Sequence, residues 1–169
     1  MPGLLLGGVR LFLLSALLLA GVGMIGRAVG WVALTTTLGP TAYLLLAHPE
    51  SESARLRSAV TGHGLAVAVG LASLAAFGLW SHPSIAEQHQ ETVLQICAQA
   101  VGVGLTLFLL HVCDAEHPPA AATTLLITSG ICRPGPPLYG LLLGLALVLV
   151  LAPVLAAVTS RIGGQGGMR

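Results

Sequence analysis

The sequence predicts an all-α protein that crosses a membrane several times. Hydrophobic residues make up 55% of the 169 residues, charged residues only 8%, and the mean hydropathy is +0.91. Soluble domains carry about a quarter charged residues, so this composition excludes an ordinary soluble fold. Long apolar runs alternate with short polar connections, which is typical of membrane-spanning helices. We expect four to six membrane segments in contact with lipid, in a bacterial inner (plasma) membrane.

Charge and cysteine content exclude several functions. The formal net charge is only +1, so the chain lacks the basic surface that binds nucleic acid. The three cysteines are scattered and odd in number, which does not indicate a disulfide framework. No nucleophile–base pair and no metal-ligand motif is visible in the sequence. We therefore expect neither an enzyme nor a bound metal or cofactor.

The apolar segments can be placed in order along the chain. Residues 1–24 are similar to a signal peptide, but a second apolar stretch follows almost at once, after a break at Gly26–Arg27, so we predict a first membrane helix. Residues 28–47 are interrupted by Gly39 and Pro40, which should kink or unwind the helix. The ranges that we predict as uninterrupted spans are 58–80, 92–113 and 138–158. We expect residues 159–169 to form a flexible tail.

The most distinctive stretch is residues 114–131, D-A-E-H-P-P-A-A-A-T-T-L-L-I-T-S-G-I. Proline lacks an N–H group and clashes with the preceding helical turn, so Pro118 and Pro119 are tolerated only in the first turn of a helix. We predict a short helix over residues 118–131 that these prolines open. Its 14 residues would rise about 21 Å, which is short for a hydrocarbon core of about 30 Å.

The two halves of the chain align with each other when Gly39 is laid over Ala121. Residues 39–45, G-P-T-A-Y-L-L, then lie over residues 121–127, A-A-T-T-L-L-I, with Thr41 over Thr123 and Gly62 over Gly144. We predict two pseudo-symmetric repeats in a domain spanning residues 1–158. Repeat one covers about 8–80 and repeat two about 92–158, and each has a long helix, a proline-interrupted or short helix, and a second long helix.

The number of crossings depends on the interrupted segments. If these segments cross, the chain has six crossings and the repeats are inverted, as in many transporters. If they are re-entrant, the chain has four crossings and the repeats run parallel. Six crossings place five of the seven arginines on one side, which the positive-inside tendency favours.

Three motifs together resemble one known family. These are His117-Pro118-Pro119 followed by A-A-A-T-T-L-L-I, then L-G-P-T-A-Y-L-L-L-A-H-P-E-S at residues 38–51, and A-V-T-G-H-G-L-A at residues 59–66. The chain resembles the HPP family of integral membrane proteins over about residues 33–158. The resemblance implies a compact helical membrane domain, and some members are nitrite transporters of chloroplasts and cyanobacteria. Asp114 and Glu116 depart from the family's pattern, in which basic or neutral residues are common before the motif.

Candidate binding residues lie at the two breaks, and one more, His63, lies inside the predicted span 58–80. The N-terminus of a helix attracts anions through free N–H groups and its positive dipole end, and two such ends facing each other would form a small anion site. Histidine titrates near neutral pH and is able to couple proton movement to transport. The predicted substrate-binding residues are Gly39, Pro40, Thr41, His63, His117, Pro118, Pro119 and Thr123. The alternative is that these residues only shape and pack the helices.

Two further groups have open interpretations. Asp114 and Glu116 are candidates for a proton or cation relay, or they are solvated acids at the interface. Gln95 and Gln99 share a helix face and either line a polar path or make interhelical hydrogen bonds. The sequence as a whole predicts a homo-oligomeric transporter or channel for a small solute, with an anion such as nitrite as one candidate. The alternative is a non-transporting membrane scaffold or a subunit of a larger complex.

Overall fold

The computed structural model describes the backbone of residues 2–165 and the side chains of residues 3–158. Within this part of the chain the regular structure is entirely helical, so the all-α prediction is confirmed. The helices are α1 (Pro2–Ala28), α2 (Leu38–Ala47), α3 (Leu56–Ala76), α4 (Ile85–Gln88), α5 (Val93–Val112), α6 (Pro119–Thr128) and α7 (Pro136–Gln165), and a 3₁₀ turn covers Glu52–Ala54.

Helix length separates spanning helices from short ones. The helices α1, α3, α5 and α7 are long and apolar enough to cross a membrane. The helices α2 and α6 have 10 residues each, or about 15 Å, which is half of the hydrocarbon thickness. The order long, short, long therefore occurs twice along the chain, with the short helix α4 between the two halves.

Several helices end two residues before a glycine with a positive φ angle. The helix α1 continues through the predicted break at Gly26–Arg27, and the chain turns instead at Gly30, which has φ 77°. The helix α3 ends at Ala76 rather than residue 80, because Gly78 adopts φ 67°. The helix α6 ends at Thr128 rather than residue 131, because Gly130 adopts φ 78°. Glycine adopts this left-handed conformation without the steric cost that other residues have.

The last helix is longer than the predicted span at both ends. It begins at Pro136, since proline is well suited to the first helical turn, and it continues to Gln165. Residues 159–165 are therefore helical, although the sequence predicted a flexible tail there. Residues 159–162 contain neither glycine nor proline to break the helix. Residues 166–169 of the predicted tail lie outside the described residues.

The segment before α2 folds back along α1. A Cβ atom on Gly26 would lie 2.6 Å from the Cβ atom of Ala33, so the returning chain contacts α1 directly where the glycine leaves room. Tyr43 of α2 lines a cavity together with residues of α1 between positions 8 and 19. The non-helical residues 31–35 and α2 together thus run antiparallel to α1.

The helices form two connected bundles. The first contains α1, α2 and α7, and the second contains α3, α5 and α6, with contacts of α2 with α6 and of α3 with α7 joining the two. Each bundle thus combines two helices from one half of the chain with one helix from the other half.

The helix ends lie at two opposite faces of the molecule. At the first face, a cavity of about 600 Å³ is lined by Arg10, Ala47, Arg55 and Ala157, from α1, α2, the start of α3 and α7. At the second face, the rings of Trp31 and Tyr139 are 5.5 Å apart, which brings the end of α1 to the start of α7. The loop at Pro83 also belongs to the second face, since it follows α3 and contacts the start of α5.

Candidate functional site

The two short helices meet at their first residues, inside the protein. Thr37 occupies the N-cap position of α2 without capping it, and its hydroxyl instead donates a hydrogen bond to the carbonyl oxygen of Pro119, the first residue of α6, at 3.0 Å. The same hydroxyl lies 3.1 Å from the hydroxyl of Thr123, one turn into α6. Thr37 and Thr123 are both fully buried. The prolines explain this placement, because each break lets a helix begin in the interior of the bundle.

His63 of α3 lies between the two short helices. Its Nδ1 atom is 2.9 Å from the Thr123 hydroxyl, and its Nε2 atom is 3.2 Å from the hydroxyl of Thr41 in α2. The residue is only 3% exposed. Gly62 brings α3 close to α6 at this level, since a Cβ atom there would lie 3.0 Å from the Cβ atom of His117.

His117 completes the arrangement from the turn that precedes α6. Its Nε2 atom is 3.1 Å from Nε2 of His63, and the two rings are 4.8 Å apart at 70°. Its Nδ1 atom is 2.7 Å from the carbonyl oxygen of Ser53, in the 3₁₀ turn near the first face. His117 is fully buried.

These five residues, Thr37, Thr41, His63, His117 and Thr123, form what we call the polar network. All of their side-chain polar atoms have hydrogen-bond partners; among the described side chains, only the Thr35 hydroxyl is buried without one. A buried polar group without a partner costs about 1–3 kcal/mol, so a fully paired network is the arrangement that an apolar bundle tolerates. No group of three or more His, Cys, Asp or Glu residues within the described part could hold a metal ion.

The structure brings together some of the predicted site residues and separates others. Thr41, His63, His117, Pro119 and Thr123 lie within or beside the polar network. The predicted residues with exposed side chains are Gly39, Pro40, Pro118, Asp114 and Glu116. Gly39, Pro40 and Pro118 lie at the breaks, but the faces of the first helical turns that they occupy point away from the network.

An anion site at a helix N-terminus needs free backbone N–H groups, and the start of α6 does not provide them. Pro118 and Pro119 have no N–H group, and those of Ala120 and Ala121 donate to the carbonyl oxygens of His117 and Pro118 at 2.9 and 3.1 Å. The first turn of α6 therefore offers no free N–H group to a ligand in this structure. The donors available at the site are hydroxyl and imidazole groups.

Comparison with known proteins identifies the family of the chain. The chain matches the family described as HPP, transmembrane region, over residues 5–165. It belongs to the HPP family. The match covers nearly all of the chain, including every residue of the polar network. A search of curated proteins and a search of solved structures each found no match. The family and the four spanning helices together establish an integral membrane protein in contact with the lipid bilayer.

One member of the network in this HPP protein was not predicted. Thr37 is the last of three consecutive threonines, and any of the three is equally compatible with the sequence pattern. The offset that aligns the two halves places Thr37 over Pro119. This alignment with a residue of the second break was the feature of the sequence that could have indicated Thr37. The contact of His117 with the Ser53 carbonyl oxygen could not be predicted from the sequence. Every residue has a backbone carbonyl group, and only the fold determines which one lies beside His117.

Gln95 and Gln99 hold a loop of this HPP protein together. Gln95 forms a capping box with Thr92, and its side-chain amide donates to the carbonyl oxygen of Pro83 at 3.1 Å. The Gln99 amide donates to the Glu91 carboxylate at 3.0 Å. Both glutamines thus fix the loop at the second face, far from the polar network along α5.

An apolar groove between α3 and α7 reaches the network of this HPP protein at His63. The groove has a volume of about 680 Å³ and is lined mainly by leucine, valine and alanine side chains, such as Val60, Leu145 and Leu149. His63 is the residue that belongs both to this groove and to the polar network.

Proposed function

We propose that the protein transports a small solute across the membrane and that the solute binds at the polar network. The observation that carries this proposal is the meeting of two interrupted helices, which place hydroxyl and imidazole groups inside a bundle of spanning helices. Polar residues are costly inside a membrane, where they usually mark a substrate or ion path. Secondary transporters commonly bind their substrates at discontinuous helices near the membrane midplane.

We further propose six crossings and two inverted repeats. Residues 31–47, which include α2, lead from the second face to the first, and α6 leads from His117 near the first face toward the second. Equivalent contacts support the repeat: a Cβ atom on Gly62 would meet Ala120, and one on Gly144 would meet Leu38. The offset between the two halves relates Gly62 to Gly144, and it also relates Leu38 to Ala120.

The distribution of arginines supports one orientation for these crossings. At the first face lie Arg10, within α1, and Arg55 and Arg57, at the start of α3. At the second face lie Arg27, at the end of α1, and Arg133, in the loop before α7. Short loops with more basic residues tend to remain on the cytoplasmic side. We propose that the first face is cytoplasmic.

The chemistry of the network limits the class of solute. The polar side chains are three hydroxyl groups and two imidazoles, without a carboxylate that would bind a cation. Such donors suit a small anion or a small neutral polar molecule. Nitrite, which some members of the HPP family transport, is the first solute to test. The network is closed in this structure, so a solute would have to replace hydrogen bonds between its members.

This closure also supports the second candidate function, a non-transporting scaffold. Side chains that bind one another so completely would stabilise a bundle without binding any solute. A transport measurement separates the two functions.

Uptake of nitrite into proteoliposomes tests the proposal, with nitrate, formate and chloride alongside at two pH values. We expect saturable nitrite uptake above that of protein-free liposomes. Thr123→Val should reduce uptake about tenfold or more, because it removes the hydroxyl that contacts both Thr37 and His63, and one lost hydrogen bond of about 1.4 kcal/mol corresponds to tenfold. Thr36→Val, at an exposed threonine of the same segment, is the matched control and should leave uptake unchanged. Correctly folded protein that takes up none of the four anions would overturn the transport proposal.

A further inference from the structure

The backbone carbonyl groups around the histidine pair fix the positions of its protons. The Ser53 carbonyl oxygen, 2.7 Å from Nδ1 of His117, only accepts hydrogen bonds, so this nitrogen carries a proton. In a neutral ring the Nε2 atom of His117 then has a free lone pair. His63 must donate to that lone pair from its own Nε2 atom, across 3.1 Å.

A second carbonyl group independently gives the same tautomer. The Thr41 hydroxyl donates its single proton to the carbonyl oxygen of Thr37 at 2.9 Å. The Thr41 oxygen must therefore accept from Nε2 of His63 at 3.2 Å, so the single proton on that nitrogen is shared between this oxygen and Nε2 of His117. With its proton on Nε2, neutral His63 accepts at Nδ1 from the Thr123 hydroxyl at 2.9 Å.

The network has room for one additional proton. A proton on Nδ1 of His63 would donate to the Thr123 oxygen, and the Thr123 hydroxyl would then turn to the Thr37 oxygen, 3.1 Å away. The Thr37 proton stays on the carbonyl oxygen of Pro119 at 3.0 Å. Every contact between these groups is kept, and only one hydroxyl rotates. The remaining proton between the two Nε2 atoms is shared by the pair.

A second additional proton does not fit. It would place an N–H group on each side of the 3.1 Å contact between the Nε2 atoms, and two donors cannot share a hydrogen bond. The capacity of the closed network is therefore a single proton above the neutral state.

Other ionisable groups on the surrounding elements do not enter the network. Their side chains are exposed, in contrast to the buried histidine pair; they are Tyr43, His48, Glu50, Glu52, Arg55, Arg57, Cys97, His111, Cys113, Asp114 and Glu116. Glu52 and Arg55 also pair with each other at 3.2 Å. The charge of the closed network is thus set by His63 and His117.

We infer that the His63–His117 pair binds one proton together with each monovalent anion, so that transport is an electroneutral anion–proton cotransport. This inference rests on the proposed function. An isolated charge buried in an apolar bundle is costly, whereas an anion and a proton that enter together leave no net charge. The proton comes from water at the face where the anion enters and returns to water at the opposite face, so no other reactant is needed.

Nitrogen NMR of histidine-labelled protein in bilayers tests the proton arrangement without any transport. We expect the neutral pair to carry its protons on Nδ1 of His117 and on Nε2 of His63, and acidification to add one proton that both rings report together. The signals are assigned with His63→Gln and His117→Gln, and His111→Gln, at an exposed histidine of α5, serves as the control. Opposite tautomers, or two independent protonation steps in the closed protein, would overturn the inference.

Proton flux measured alongside nitrite uptake tests the coupling. We expect about one proton per nitrite, uptake that does not respond to membrane potential, and a loss of about tenfold or more in His117→Gln but none in His111→Gln. Uptake that moves net charge would overturn the inference and leave the proposed function intact. Absence of uptake of all four anions by the correctly folded, unmodified protein would overturn the proposed function, and the NMR result would still decide whether the pair holds one proton.

Discussion

Gly62 and Gly64 lie close together on α3, yet they differ in what surrounds them. A Cβ atom on Gly62 would lie 3.0 Å from the Cβ atom of His117 and 3.4 Å from that of Ala120, whereas one on Gly64 would have no neighbour within 4 Å. Only Gly62 therefore determines how closely α3 approaches the polar network.

We expect Gly62→Ala to destabilise the protein and Gly64→Ala to leave it nearly unchanged. The added methyl group at position 62 must displace the turn that carries His117, and overpacking of this kind costs about 1–3 kcal/mol. Thermal unfolding of the two variants in the same detergent measures the difference. Equal unfolding temperatures would show that the contact at Gly62 does not matter.

At the residue scale, the sequence could predict the network only in part. Thr41, His117 and Thr123 stand out because they lie beside the breaks, and His63 because an ionisable residue inside a predicted apolar span is unusual. The role of Thr37 depends on how the start of α2 is rotated against α6, which local sequence does not contain. Gly39, Pro40 and Pro118 were also predicted to bind the solute, but all three are exposed, because a residue that forms a break need not face the interior of the bundle.

At the element scale, the start of the short helix α6 was easier to predict than the ends of the helices. Two consecutive prolines can begin a helix but cannot lie deep within one, so the predicted start of α6 was correct to the neighbouring residue. Helix ends depended on Gly30, Gly78 and Gly130. The chain has 22 glycines, and sequence alone does not show which of them adopt positive φ.

The loop that contains α4 provides a pH-dependent test. The backbone N–H group of Ser84 donates to the Glu87 carboxylate at 2.7 Å, and Arg133 lies 3.2 Å from the same carboxylate. Together they lower the pKa of Glu87 below its ordinary value of 4.5, with the Ser84 hydrogen bond as the larger cause. A lowered carboxylate pKa stabilises the folded loop above the ordinary pKa, and this contribution is lost as pH falls through the lowered pKa.

We expect Arg133→Gln to raise the pKa of Glu87 only partly toward its ordinary value, because the hydrogen bond from Ser84 remains. Carbon NMR titration of the glutamate carboxyl groups measures this shift. Arg57→Gln, at an exposed arginine of the other face, should leave the Glu87 pKa unchanged. An unaltered Glu87 pKa in Arg133→Gln would mean that the ion pair does not form in solution.

At the scale of the whole molecule, the sequence predicted equivalent halves but not how they pack. The sequence offset between the two halves relates α1 to α5, α2 to α6 and α3 to α7. It does not show that α7 packs with α1 and α2 while α3 packs with α5 and α6. Which helices form each bundle depends on contacts between residues that are far apart in the sequence, and a single sequence does not reveal such contacts.

The six-crossing topology predicts that Val29 and Glu50 lie on opposite sides of the membrane. Val29 follows α1 and Glu50 follows α2, so the two are separated by the segment that contains the interrupted helix. Val29→Cys and Glu50→Cys, in a background without the native cysteines, can be labelled in oriented vesicles with a membrane-impermeant thiol reagent. Labelling of both positions from the same side would instead support four crossings with re-entrant short helices.

Accessibility of position 41 tests most directly whether the buried network opens to both sides of the membrane. Thr41 is fully buried in the closed structure, and Thr41→Cys places a thiol there in the same cysteine-free background, with Val29→Cys and Glu50→Cys as reporters for each side. A transporter that exposes its site alternately predicts slow labelling of position 41 by a small impermeant thiol reagent from either side. A folded protein in which this thiol reacts from neither side, or from one side only, would contradict transport through the polar network.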